Sequence, residues 1–370
     1  MTDESGLTYK RAGVDYDRVD PLKIMAQQAA LATADNLHAA GLTEIAASRG
    51  ESAYVVDMGE FYTASITECL GTKSLVADRM HEITGKTYYA AIAQDTIAAA
   101  VNDVITVGAR PLTIHAYWAA GGSEWFADEQ RMTALVQGWQ QVCQDIGVSW
   151  GGGETPSLAG VVQPGAIDLA ASCMGIIRPK ERLTLGEKLR AGDAIVLLES
   201  SGIHTNGLTL ARKLADQLPE GYATQIDGGR AYGEALLDPT ILYSPVTEAL
   251  FEAGIHIHYL AHITGHGWRK IMRHPASFTY RINALPPVPL VLQFLAEKAR
   301  LDLREAYGTF NMGAGFAVFV PAHQAEHAVA ISERLGVGAY RAGVVEEGPK
   351  RVVIEPLDLT YEGESLHLRA

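Results

Sequence analysis

The chain has 370 residues, 48% hydrophobic and 20% charged, with a formal net charge of −13. That length exceeds what one ordinary core serves, so two domains are expected, and the composition excludes wholesale disorder. An acidic chain without a Lys/Arg block is a poor binder of nucleic acid or anionic membrane, so an anionic substrate must be met by a local positive feature or a metal ion.

Residues 1–20 are polar, without an apolar period, and read as an extended arm that is neither a signal nor a transit peptide. From Pro21 the pattern predicts a helix stopped by Gly41. SAYVVDM (52–58) reads as a strand, and residues 73–85 and 95–108 as helices, each closed by glycine. A strand over 111–120, a long amphipathic helix over 124–146 and a strand over 165–177 follow. The run 167–177 is too short to span a bilayer. A turn-rich, charged stretch at 178–193 marks a boundary, giving domains 1–178 and 179–370. The pattern then restarts: AIVLLES (strand), HTNGLTLARKLADQL (helix), PVTEALFEAG (helix), IHIHYLAHI (strand), GHGWRKIMR (helix), FNMGAGFAVFVP (strand), a helix near 323–335 and two terminal strands. The expected fold class is α/β or α+β, a mixed sheet packed against helices in each half. Cys69, Cys143 and Cys173 form no zinc knuckle or disulfide framework, which points to a reducing, cytoplasmic setting.

Four polar clusters interrupt the periodicity. In TECLGTKS (67–74) a Gly-Thr-Lys turn opens a helix, so Lys73 opposes the helix dipole unless an anion sits there; the alternative is a solvated lysine. In the second, Asp95 and Asn102 are seven residues apart on one helix face, with Asp103 further round. These acids are either solvent-facing or spread along a triphosphate and its metals. The third, WGGGETPSLAG (150–160), is a glycine run that opens space for a ligand, or a plain turn, followed by Glu154. The fourth comprises 201–213, 261–268 and 308–316, the first two of which place Gly, Thr, Asn and His at a strand-to-helix junction. His256, His258, His262 and His266 offer a zinc reading, which the Gly265/Gly267 turn disfavours. Trp118, Trp125 and Trp150 read as core or interface residues.

Together these segments resemble aminoimidazole ribonucleotide synthetase, the cyclo-ligase family of purine biosynthesis, along nearly the whole chain. TYKRAGVD (8–15) is similar to that family's TYKDAGVD, ECLGTK (68–73) to DGVGTK, DTIAAAVND (95–103) to DLVAMCVND, and VGARPL (107–112) to QGAEPL. GGET (152–155) is identical, and HTNGLTLARK (204–213) is close to HSNGYSLVRK. LLDPTILY (236–243), AHITGHG (261–267) and TFNMGAG (309–315) complete the series. The resemblance implies two α/β domains per subunit, a homodimer through the N-terminal sheets, and ATP with Mg²⁺ as cofactors. It implies a small phosphorylated substrate, formylglycinamidine ribonucleotide, whose formyl amide oxygen takes the γ-phosphoryl group before a nitrogen of the same molecule closes the ring. By position, Lys73, Asp95 and Asp103 become catalytic, and Glu68, Asp95, Asp103 and Glu154 the metal shell. Tyr9, Lys10, Asp15, Gly71, Thr72, Lys73, Asn102, Gly152 and Gly153 become ATP contacts. His204, Thr205, Asn206, Gly207, His262, Thr264, Gly265 and Asn311 become substrate contacts.

Four departures crowd these motifs. Glu68 stands for Asp, Cys69-Leu70 for Gly-Val, Ser157 for a carboxylate, and His266 for a glycine. They leave two alternatives open: a paralogue that phosphorylates another small substrate, or a nucleotide-binding regulator without turnover. Related selenophosphate synthetases, thiamine monophosphate kinases and hydrogenase-maturation dehydratases fit less well, since the N-terminal arm and C-terminus lack Cys and TFNMG and AHITG favour the cyclo-ligase.

Overall fold

The structure, a computed structural model, describes residues 16–226 and 229–366 together with Leu7 and Gly13, with the side chains of 16–19 left out. Tyr9, Lys10 and Asp15 lie outside the described residues.

The N-terminal half is built from α1 (Tyr16–Leu31), β1 (Thr43–Glu44), β2 (Tyr54–Asp57), β3 (Tyr62–Cys69), α2 (Lys73–Thr84), α3 (Tyr89–Val104), β4 (Arg110–Ala120), α4 (Glu129–Asp145), β5 (Ser149–Glu154) and β6 (Ile167–Ile177). Its six strands run in the order β1-β2-β3-β6-β4-β5. On β6 exposure alternates, with Ile167, Leu169, Ala171 and Cys173 buried and Asp168, Ser172 and Met174 exposed. That period of two means helices cover one face of the sheet and leave the other open. Helix α3 is the covering element, buried along nearly its whole length and packed on β3, β6 and α4. Trp118, Trp139 and Trp150 meet beside it, with ring centroids 5.4–5.9 Å apart.

The C-terminal half comprises β7 (Asp193–Glu199), α5 (Leu208–Ala215), α6 (Tyr232–Leu236), α7 (Ser244–Glu252), β8 (Tyr259–His262), β9 (Phe278–Ile282), α8 (Leu290–Lys298), α9 (Leu303–Thr309), β10 (Ala314–Pro321), α10 (Ala325–Arg334), β11 (Ala339–Glu347), β12 (Arg351–Ile354) and β13 (Leu359–Glu362). The seven-stranded order is β13-β12-β9-β11-β7-β10-β8. β10 and β8 are buried at every position and β7 at all but its last, which is why their sequences are unbroken apolar runs. Both halves are thus mixed sheets with helices. None of the described helices is long and apolar enough to cross a membrane.

Several local expectations change. Helix α1 begins at Tyr16, not Pro21, so Pro21 removes one donor inside it, and the segment ending at Gly41 is a separate 3-10 turn, Ala34–Ala40. The strand expected over 255–263 is only Tyr259–His262, so His256 and His258 do not share a strand face. GHGWRKIMR forms a 3-10 turn, Gly267–Met272, and the terminus has three strands rather than two.

The halves are stitched through α3. Gln94 Nε2 donates to the Thr240 carbonyl (2.8 Å), Asn102 Nδ2 donates to the Ile241 carbonyl (2.8 Å), and Tyr243 N donates to Asn102 Oδ1 (3.0 Å). A fully buried ion pair completes the seam: Lys73 Nζ lies 2.7 Å from Asp95 Oδ2 and donates to the Asp238 carbonyl at 2.9 Å. Asp95 Oδ1 accepts from Thr240 N and Oγ1 at 2.8 and 2.5 Å. Burial pushes the Asp95 carboxyl up from its ordinary value, against the pull of Lys73 and Thr240.

Candidate active site

β7, β10 and β8 are neighbours, and the loops at one end of them hold non-glycine residues in the left-handed region: His204 (φ 57°), His266 (φ 70°) and Met312 (φ 42°). Each such residue costs on the order of 1 kcal/mol, so the surrounding packing must hold it. Gly315, on β10, has no room for a Cβ because the Tyr243 hydroxyl and the His204 ring fill that space.

This strained edge faces the end of α3, and a polar cavity of about 340 Å³ opens between them. Glu68 from β3, Asp103 from α3, and Asn206, Thr264 and Lys270 from the C-terminal loops line it. A smaller recess of about 90 Å³ adds Thr205 and His262. Asp103 Oδ1 is 2.7 Å from His262 Nδ1, and His262 Nε2 is buried without a hydrogen-bond partner. Lys270 Nζ donates to Thr264 Oγ1 at 3.0 Å. Arg273 holds the rim by donating to the Gly50 carbonyl and Ser52 Oγ, 2.8–3.1 Å away, beside Glu51.

The electrostatics are those of a site made for charge. Burial and the nearby Asp103 carboxylate push Glu68 up to about 7, with Lys270 and Arg273 opposing. Burial also raises Asp103, but the His262 bond and the charges of His262, Lys270 and Arg273 outweigh it and hold the carboxyl below its ordinary value. Burial, then Arg273, bring Lys270 down to about 8. Burial puts His204 well below the usual imidazole range.

Glu68 therefore holds its proton more tightly folded (about 7) than unfolded (4.5). The native state binds more protons between those values, so Glu68 makes the metal-free protein less stable as pH rises through that window. Glu68→Gln is expected to remove this contribution, read as urea midpoints at pH 5 and pH 8. The same fall in both proteins would contradict it.

Of the residues singled out in the sequence, Glu68, Asp103, Thr205, Asn206, His262, Thr264 and Gly265 line these two cavities. Others have their polar groups turned to the protein itself. Lys73 and Asp95 neutralise each other, and Asn102 spends both ends of its amide on the 241–243 backbone. Asn311 accepts from Ser200 Oγ and donates to the Gly202 carbonyl, pinning two loops together. His204 Nε2 accepts from Ser201 N at 3.2 Å. Gly71 (φ 73°) and Thr72 form the turn before α2, and Gly207 (φ 89°) precedes α5 where Phe310 excludes a Cβ. Gly152, Gly153 and Glu154 are exposed on β5, an edge strand three spacings from β3, or roughly 14 Å. In the departures, Leu70 goes into the core while Cys69 is exposed.

Sequence reasoning missed Lys270 and Arg273, whose segment GHGWRKIMR reads as a helix. A lysine at a position that tertiary packing buries beside Trp268, Ile271 and Met272 leaves no periodic signal. It also missed Lys23 and Gln27 of α1, which line the cavity mouth. The zinc reading of the histidines fails: His258 pairs with Asp193, His262 with Asp103 and His266 with Asp20, and among the described residues no group of three or more His, Cys, Asp or Glu is arranged to hold a metal.

Comparison with known proteins follows the same division. Residues 50–177 match the N-terminal domain of AIR synthase related protein, and residues 190–355 match its C-terminal domain. The chain is 34% identical to phosphoribosylformylglycinamidine cyclo-ligase of Pyrococcus furiosus over 348 residues, covering 94% of this chain and 97% of that one. It is 33% identical to the enzyme of the same name from Methanothermobacter thermautotrophicus over 351 residues, covering 94% and 97%. Among solved structures, AaThiL complexed with AMPPCP and TMP superposes with a TM-score of 0.56 at 15% identity, covering 85% of this chain and 90% of that one.

Proposed function

Because the chain belongs to the AIR synthase related family, we propose that it is the ATP-dependent cyclo-ligase that converts formylglycinamidine ribonucleotide to aminoimidazole ribonucleotide. The observation that carries this reading is the placing of Glu68, Asp103 and Lys270 around one polar cavity at the junction of the halves. An amide oxygen is a very poor leaving group until it is phosphorylated. The first step therefore passes the γ-phosphoryl group of ATP to the formyl amide oxygen and releases ADP. In the second, a nitrogen of the substrate attacks the same carbon, phosphate leaves, and the nitrogen loses its proton.

Two carboxylates fit magnesium, which takes one or two of them and fills its other positions with water and phosphate oxygens. Glu68 and Asp103 are the residues that would hold it, and a bound cation would neutralise phosphate charge. It would also oppose the burial and the Asp103 repulsion that together raise the Glu68 carboxyl. Lys270 supplies a buried cation beside the carboxylates, matched to charge that develops on transferring phosphoryl oxygens. Thr205 and Asn206 stand at the recess with His262, donors for the substrate's phosphate. His262, a lining residue of the recess, has its Nδ1 held by Asp103 and its Nε2 buried without a hydrogen-bond partner.

A single-turnover assay with ATP, Mg²⁺ and formylglycinamidine ribonucleotide tests this reading. Release of one phosphate together with imidazole formation is expected. Nucleotide binding without release would mark a regulator, and release only with a different acceptor would mark a paralogue. We also place a homodimer contact on the open face of the N-terminal sheet, where Leu112 and Met174 are exposed. A monomer in sedimentation at micromolar concentration would exclude that contact.

A further inference from the structure

We infer that His266 is a positioning residue that holds helix α1 across the cavity mouth, so that Lys23 and Gln27 become part of the nucleotide site; the inference rests on reading that cavity as the nucleotide site. Helices of this kind ordinarily dock through an apolar stripe. Helix α1 does not. Across Asp20–Leu31, its only residues that are not exposed are Asp20, Ile24 and Gln27, spaced i, i+4 and i+7 on one face. Leu22 and Met25 point to solvent, 60% and 61% exposed. This stretch therefore meets the protein through a largely polar line, and specific contacts must fix it there.

The contact at its buried end is Asp20, only 9% exposed, whose Oδ2 lies 3.4 Å from His266 Nε2. Asp20 Oδ1 also accepts from Lys23 Nζ at 3.2 Å, which orients that side chain one turn further along. Lys23 and Gln27 then line the same cavity as Glu68, Asp103, Lys270 and Arg273. His266 itself is 4% exposed and sits at φ 70°, between Gly265 and Gly267. A glycine at that position would be free of strain, so the imidazole is kept at a conformational cost. The latch that the side chain makes to Asp20 offsets that cost. Arg269 Nε donates to the His266 carbonyl and further fixes the loop.

The test uses His266→Gly, which relaxes the backbone and is expected to fold, with Asp20→Ala as a second route to the same loss and His266→Gln as a longer donor that can still reach the carboxylate. Amide hydrogen exchange of residues 16–31 is read in the nucleotide-free protein, and KM for ATP and kcat in the turnover assay. At least tenfold faster exchange, with KM raised five- to tenfold and kcat little changed, is expected for the first two variants, and partial recovery for His266→Gln. Unchanged exchange overturns the latch. Faster exchange with unchanged KM overturns the role of α1 as part of the site. If the wild type fails to turn over ATP, the cyclo-ligase reading fails, while the exchange measurement still judges the latch.

Discussion

Lys73→Met is expected to destabilise the protein by about 3–5 kcal/mol, the usual consequence of stripping one partner from a buried ion pair. Both side chains are fully buried, and methionine leaves Asp95 inside the protein with only the Thr240 donors. The second variant, Lys73→Met with Asp95→Leu, is expected to recover part of the loss, because two apolar groups need no solvation. The remaining deficit comes from the Asp238 carbonyl and the Thr240 donors, which lose their partners. Denaturant unfolding of the three proteins measures this. A loss below about 1 kcal/mol with ATP turnover abolished would contradict it and return Lys73 to the role of a phosphate contact.

Asp103→Asn carries the largest expected effect on activity. The carboxylate has two tasks: it faces the cavity with Glu68, and it holds His262 Nδ1 at 2.7 Å. Asparagine keeps the volume and an oxygen that can accept from His262, but it removes the charge, which weakens any cation in the cavity and the bond that holds the imidazole. Losing an electrostatic contact made to developing charge lowers kcat by about 10²–10³. A fall of that size in kcat/KM, with the urea midpoint moved little, is expected. Retention of more than a tenth of wild-type activity would show that the carboxylate is not part of the chemistry.

The two variants mark where sequence reading succeeds and where it stops. Glycine stops, apolar periodicity and the uninterrupted runs of β7 and β10 disclose the elements, because those patterns are local. The seven-residue spacing of Asp95 and Asn102 correctly puts both on one face of α3. What their side chains bond to is the 240–243 backbone, and nothing within α3 itself could reveal it. A lysine opening a helix looks like a solvated or phosphate-bound group until its partner 22 positions away is buried with it. Lys270 is the opposite case. Its neighbours make it look like the polar side of an amphipathic turn, while the fold buries it beside two carboxylates. Helix α1 is the least legible, since the docking line of its described side chains, Asp20, Ile24 and Gln27, is largely polar.

Charged nucleotide is expected to lie between α3 and the strained loops of the C-terminal sheet. A crystal structure with Mg²⁺ and a non-hydrolysable ATP analogue decides it. The expected result is a metal ion bound by Glu68 and Asp103, with the terminal phosphate within reach of Lys270. Phosphates found against Glu154 and the exposed β5 edge, with the cavity between Asp103 and Lys270 left to solvent, would contradict it.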